Sequence, residues 1–402
     1  MLLENHQSNF SASGFSLYLH IPFCLSRCRY CAFYSTVATP IPEDIYLSAL
    51  LNQFNARLTD WHGRQLKTIY MGGGTPSLLS PSFYAKFLNR LSSHFHFLPD
   101  IEISIEANPA TLSEEKIRGY QSLGINRFSL GVQTFADWGL ELLGRHHSSA
   151  EVVDTVKMMN RCGVKNLSID LIYAYPRQTL AGLRSDLESA IRLDPAHISA
   201  YCLSIESGTP LAETIKNKVL PRPSEDDQSR FMEETANFLG NSGYCQYEIS
   251  NFSRPGFQSR HNLAYWELRD YWGLGAGAWS SRRLEKNKLC WATRYMDETE
   301  VEGYLNRFGD YVENQGQVVS AEIDNIAYET SFAERIIMGL RLVGGVDLAA
   351  VAAEYDRNLV NRALARLDVA MGEGLVERLD DHLRLTDRGR LLADEVVLEI
   401  LD

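Results

Sequence analysis

No run in this 402-residue chain approaches the roughly 18 consecutive apolar residues of a membrane span, so stable membrane insertion is not expected. The start, MLLENHQSNFSASGF, has neither a basic beginning nor an apolar core, and no secretory signal is expected there. Positive charge is short: 39 Lys and Arg against 51 Asp and Glu leave a net charge of −12. That balance argues against a broad electrostatic grip on nucleic acid or on an anionic membrane. Neither a fixed-period repeat nor a low-complexity tract is present. Cysteine is sparse, seven in all, and no second CxxC exists to complete a zinc site of the usual paired kind. Clustered thiols without an export signal point to a reducing cytoplasm, where they serve metal chemistry better than disulfides.

The cysteine that exists is concentrated. Cys24, Cys28 and Cys31 lie in LYLHIPFCLSRCRYCAFY with the spacing CxxxCxxC. Three thiolates on a short loop suit a 4Fe–4S cluster and leave one iron without a protein ligand; buried structural cysteines or zinc are the alternatives. At these residues the chain resembles the radical S-adenosylmethionine (SAM) superfamily, and the resemblance implies that SAM chelates the open iron. The other cysteines, Cys162, Cys202, Cys245 and Cys290, are scattered and read as small buried residues.

Short apolar strands alternate with longer amphipathic segments. The strands expected are Leu17–Ile21, Thr68–Met71, Glu102–Glu106, Arg127–Val132, Asn166–Tyr173 and His197–Leu203, with helices between them. Six βα units in sequence suit a parallel α/β barrel, part of one, or a doubly wound sheet. The resemblance implies the partial TIM-type (β/α)6 barrel, here over 17–220, after a tail at 1–16. An extension at 221–324 follows, with a helix capped by Ser224, a strand at Tyr244–Phe252 and a polar linker near 313–325. Residues 325–402 read as three helices (Ser331–Arg341, Leu348–Glu354, Leu359–Met371), a small hairpin and a last helix Arg388–Leu401, a winged-helix-like unit. Its residues 331–402 carry nine Arg against fourteen Asp and Glu, which favours a packing or lid role over DNA binding.

Ligands of such barrels sit at the C-terminal strand ends. There the chain places Tyr18 and His20, the run Met71-Gly72-Gly73-Gly74-Thr75-Pro76, then Glu106, Gln133, Arg145 and Asp170. Each alone is ordinary: polar-tipped core, a turn, a solvated arginine, an acid bonded to nearby backbone. Together they are similar to the SAM-contacting residues of the oxygen-independent coproporphyrinogen oxidase branch. The resemblance implies cofactor contacts for Tyr18, Gly73, Gly74, Thr75, Glu106, Gln133, Arg145 and Asp170.

Two departures separate the chain from the decarboxylating oxidases. Phe33 stands where they carry a further cysteine, and the cluster loop comes without their N-terminal extension. Both differences resemble the sister group, the HemW haem chaperones. So does Arg260-His261-Asn262-Leu-Ala-Tyr265-Trp266, an HNxxYW motif whose His261, Asn262, Tyr265 and Trp266 are then expected at haem. From chemistry alone the motif is an aromatic cluster packing its segment onto the barrel, with His261 hydrogen-bonded. Trp279, Ser259 and Arg177 depart from the histidine, cysteine and glycine often found in relatives, which weakens axial ligation at this surface. The glycines of Trp272-Gly273-Leu274-Gly275-Ala276-Gly277 are no dinucleotide fingerprint, since neither a helix nor a βαβ unit frames them. The resemblance thus implies a cytoplasmic protein with a 4Fe–4S cluster, SAM and haem. It would hold haem for haem-receiving proteins, membrane-bound respiratory enzymes among them. The competing expectation is an oxygen-independent coproporphyrinogen III dehydrogenase, a radical enzyme that decarboxylates propionates to vinyl groups.

Overall fold

The computed structural model describes residues 14–287, 289–309 and 320–401. Most of the tail assigned to 1–16, and residues 313–319 of the linker, lie outside the described residues.

Six parallel strands with intervening helices form the centre: β1 (Gly14–Ile21), β2 (Gln65–Gly73), β3 (Glu102–Ala107), β4 (Arg127–Gln133), β5 (Leu167–Tyr173) and β6 (His197–Cys202). The helices start where serine and threonine side chains cap free backbone N–H groups. Ser80 accepts from Phe83, Thr179 from Gly182, and Ser148 makes a reciprocal capping box with Glu151. Ser224 caps Glu225–Asn241 as its acidic first turn predicted.

The sheet does not stop at six strands. On one side β7 (Cys245–Glu248) pairs antiparallel with β8 (Asn251–Ser253), which in turn adds antiparallel to β6. On the other, β9 (Tyr271–Leu274) pairs parallel with β1, and β10 (Trp279–Asn287), β11 (Cys290–Met296) and β12 (Glu322–Ile326) continue antiparallel. The order is β12-β11-β10-β9-β1-β2-β3-β4-β5-β6-β8-β7, open at both edges among the described residues. The fold is the expected α/β partial barrel, widened by flanking strands.

Two details differ from the expectation. The strand foreseen at Tyr244–Phe252 is a hairpin: Glu248 accepts from the Ser250 N–H and from Asn251, turning the chain. The polar stretch read as linker ends in β12, because its backbone pairs with β11 whatever its side chains.

Outward residues of the strands are apolar and fully buried, for example Leu17, Leu19, Ile69, Met71, Ile105 and Leu130. They meet the helices in one large core in which Trp61 stacks on Trp272, ring centres 5.6 Å apart. Each such large side chain removed from water contributes roughly 2–3 kcal/mol. A second core, from Phe332 to Ile400, belongs to the C-terminal helices and a three-stranded sheet of Val346–Asp347, Val376–Leu379 and His382–Leu385. The helix foreseen at Leu359–Met371 breaks at Leu367 into Arg357–Arg366 and Asp368–Gly372, and the last helix breaks at Leu392. Of the scattered cysteines Cys162 is buried, whereas Cys245 is exposed and Cys202 and Cys290 are half-buried, correcting the expectation for those three. No described helix is long and apolar enough to cross a membrane.

Candidate functional site

Strand alternation turns every second side chain of the barrel inward. The inward set is polar or small: Tyr70 on β2, Glu106 on β3, Ser129 and Gly131 on β4, Ser168 and Asp170 on β5, Ser199 and Tyr201 on β6. These line a cavity of about 570 Å³.

The cluster loop closes one end. Phe23–Cys24 pairs with Thr36–Val37 as a two-stranded ribbon, so the residues between are held as a loop over the C-terminal strand ends. Backbone bonds from Arg29 to Leu143 at 3.0 Å and from Leu211 to Arg29 at 2.9 Å anchor its far side. Cys24, Cys28 and Cys31 are half-buried, free of disulfides, and all face the cavity. Among the described residues no three His, Cys, Asp or Glu side chains converge on a single metal ion. A polynuclear cluster gives each thiolate its own iron. Burial pushes the Cys24 and Cys31 thiols up, so a cation or metal is needed to hold them as thiolates.

A chain of hydrogen bonds links two of the cysteines across three strand ends. Thr75 donates to Cys24 Sγ at 3.7 Å, and Asn108 donates to Thr75 Oγ1 at 3.2 Å. Arg145 donates to the Asn108 amide oxygen, to the Gly131 carbonyl at 2.8 Å and to Cys28 Sγ at 3.4 Å. The glycine run makes the approach of β2 to this loop feasible. A Cβ on Gly74 would lie 2.7 Å from the Phe23 carbonyl oxygen and 3.0 Å from Cys24 Sγ. Gly73, at φ +112°, would press on the His20 ring at 2.5 Å.

Two carboxylates face the cavity from the strands. Glu106 accepts from the Tyr70 hydroxyl at 2.7 Å and from the Gly73 N–H at 3.1 Å. Burial, with the nearby Asp170 charge adding, pushes it up to about 7. Asp170 accepts from Ser129 at 2.9 Å and from Ser168 at 3.1 Å, and burial raises it as well. Gln133 ends β4 at a bulge with φ 69°, a left-handed conformation that strands rarely tolerate, and it too faces the cavity.

Of the residues expected at SAM, Gly73, Gly74, Thr75, Glu106, Gln133, Arg145 and Asp170 are therefore brought together. Tyr18 stands apart: its hydroxyl bonds to His20 at 3.0 Å and its ring lies beside Tyr70, which is part of the wall. His20 passes the link on, donating to the Tyr34 carbonyl at 3.0 Å, and burial holds it near 4, neutral. His20 thus holds the loop by its backbone, and Tyr18 holds His20.

The motif helix Arg260–Trp266 sits at the opposite end. Glu102 accepts from the backbone N–H of Arg260 and His261 at 3.1 and 3.0 Å, and Thr68 bonds to His261 Nδ1 at 2.8 Å. Glu102 lies four residues before Glu106, about 13 Å down the strand. The helix thus floors the barrel, with Asn262 facing up into the cavity. His261 is 1% exposed, its Nε2 bonded to Tyr265 at 3.1 Å and its pKa lowered to about 3 by burial. Tyr265 packs edge-on against Tyr271, and Trp266 lies under the Arg341 guanidinium at 4.6 Å. In this arrangement both imidazole nitrogens are engaged, His261, Tyr265 and Trp266 pack against the barrel and the C-terminal helices, and Asn262 lines the cavity.

Asn108 and Tyr70 were not singled out from sequence. The signal was present: polar residues at every second position of strands whose other positions are apolar.

With this geometry the comparisons are specific. The chain matches the Radical SAM superfamily over residues 18–190 and the HemN C-terminal domain over residues 329–392. It is 33% identical to the heme chaperone HemW of Lactococcus lactis, across 94% of this chain and 92% of that protein. It is 33% identical to the Bacillus subtilis heme chaperone HemW across 95% and 97%, and 32% identical to that of Escherichia coli across 95% and 97%. The chain belongs to the HemW family. The solved coproporphyrinogen III oxidase (HemN) from Escherichia coli, a radical SAM enzyme, has the same fold: TM-score 0.81 at 24% identity, covering 98% of this chain and 91% of that one. In this HemW-family chain the three-thiol loop and the glycine cradle fit a 4Fe–4S cluster, and the paired carboxylates fit a cationic nucleotide beside it.

Proposed function

We propose that this HemW-family chain is a haem chaperone that holds haem for insertion into haem proteins, on a barrel carrying a 4Fe–4S cluster and SAM. The observation that carries the reading is similarity along nearly the whole chain to proteins named heme chaperones. Cys24, Cys28 and Cys31 would hold the cluster, which when bound supplies an electron-transfer group and an open iron position. Arg145 neutralises the thiolate of Cys28 and locks Asn108 and Thr75 in line with Cys24. Gly73, Gly74 and Thr75 offer backbone and hydroxyl groups to the amino-acid end of SAM. Glu106, Gln133 and Asp170 present acceptors for its ammonium and ribose. Tyr18 and His20 position the loop. The chain would work in the cytoplasm and meet its recipients, membrane-bound respiratory enzymes among them, in transient contacts. Residues 325–402 would act as a packing unit, which the Arg283–Glu354 ion pair and the Arg341–Trp266 contact support.

The second reading is the coproporphyrinogen III dehydrogenase, which the shared fold with HemN keeps in view. Phe33, in place of the oxidases' further cysteine, weighs against it. Anaerobic reconstitution decides between them. The protein should bind haem, read by its absorption spectrum, and should leave coproporphyrinogen III unconverted. Measurable decarboxylation overturns the chaperone reading.

A further inference from the structure

The motif helix offers haem no free imidazole: His261 is buried with both its nitrogens engaged, and of His261, Asn262, Tyr265 and Trp266 it is Asn262 that lines the cavity. The cavity itself, about 570 Å³, is of a size that takes one drug-sized ligand. SAM against the carboxylates and glycines would occupy it, so a second, flat ligand would lie across the mouth and not inside.

The mouth is unusual for a soluble surface. Phe33 is 71% exposed on the cluster loop, and Tyr201 is 41% exposed at the end of β6; both line the same cavity. Leu25 and Val37, 58% and 57% exposed, flank Cys24 on the same loop. Two large exposed aromatic side chains at one opening, with further apolar surface on the same loop, mark a site that something flat and apolar covers. Charge adds selectivity. From Gly14 to Pro42 this acidic chain has no Asp or Glu, while the loop carries Arg27 and Arg29. Arg27 lines the same cavity as Phe33 and makes no side-chain hydrogen bond or ion pair among the described residues, its charge acting on Cys31. The acid of the mouth is Glu206, on the segment after β6. A guanidinium without a carboxylate partner and exposed aromatic rings lining one cavity suit a planar macrocycle bearing carboxylates.

We propose that haem is received at the lip of the cluster loop, its ring on Phe33 and Tyr201 and a propionate on Arg27, and not on the helix Arg260–Trp266. This rests on the haem-chaperone reading and places its ligand. It also gives Phe33 a role: where a further thiol would stand, an aromatic face does.

The test is a haem titration of the full chain, its cluster rebuilt anaerobically, followed in the Soret band. Phe33→Ala and Arg27→Ala should each weaken haem at least tenfold with iron and sulfide content unchanged, and Phe33→Trp should restore binding. Haem dimethyl ester, its propionates blocked, should bind wild type and Arg27→Ala alike. His261→Asn, if folded by circular dichroism, should keep wild-type haem affinity. Lip variants that bind as wild type does, or a folded His261→Asn that loses haem, overturn the placement while leaving the chaperone reading in force. Wild type that takes up no haem overturns that reading itself.

Discussion

Arg145 and Cys28 are joined by a guanidinium N–H to sulfur bond of 3.4 Å, made by a side chain whose other nitrogen is fixed on the Gly131 carbonyl at 2.8 Å. The strand ends thus set the position of a positive charge before any cluster is present. Charge-assisted bonds of this kind are about twice as strong as neutral ones.

Arg145→Met should therefore lower the iron and sulfide retained per chain after reconstitution. It leaves Gly131 and Asn108 oxygens without their donor, a cost of about 1–3 kcal/mol. Circular dichroism should still report a folded barrel. Full cluster content in the variant would mean that Arg145 has no part in holding the thiolates.

His261→Ala removes a fully enclosed ring stacked on Tyr70 with centres 5.0 Å apart, and strips Thr68 and Tyr265 of a partner. A loss of about 2–4 kcal/mol is expected in denaturant unfolding. A midpoint equal to wild type would show that the floor of the barrel does not depend on this residue.

Gly74→Ala puts a methyl group against the Phe23 carbonyl and Cys24 Sγ. Relief must come from the cluster loop, since β2 is paired on both sides. The expected result is weakened cluster loading, with a stability cost of about 1–3 kcal/mol. Unchanged iron binding would mean that the loop has slack the packing does not suggest.

Glu106 titrates in the folded barrel near 7, raised by burial from an ordinary value of 4.5, with Asp170 adding. The folded state then keeps a proton that the unfolded chain has released, so stability falls as pH rises from about 4.5 to about 7 and levels off above. Glu106→Gln lacks that loss. Denaturation of both proteins at pH 5 and pH 8 should show wild type losing ground to the variant at pH 8. Parallel behaviour at the two values would place Glu106 in a wetter environment than its contacts with Tyr70 and Gly73 indicate.

Much of the architecture was legible because it is written in short-range patterns. The six central strands begin and end within about three residues of where apolar alternation placed them, since a strand buried by helices must be apolar on its outer face. Ser224 announced its helix through a bond three residues long. The hairpin at Glu248 was less readable, because its turn depends on a buried carboxylate catching the backbone two residues on. β12 was misread as linker, because pairing with β11 satisfies its backbone irrespective of side chain.

What the amino-acid order determined by itself is the reactive end: three thiols on one loop, a glycine run after a strand, and polar residues at strand tips, all local arrangements that survive any choice of packing. What only the tertiary structure decided is which end of the barrel each motif faces. HNxxYW carries the residues of a ligand site, yet Glu102 and Thr68 at the strand beginnings draw its helix under the barrel, where desolvation keeps His261 neutral and bonded. Phe33 reads as a missing cysteine in sequence; its exposure at the mouth of the cavity that Arg27 also lines emerges only once β1, β6 and the loop are folded against one another.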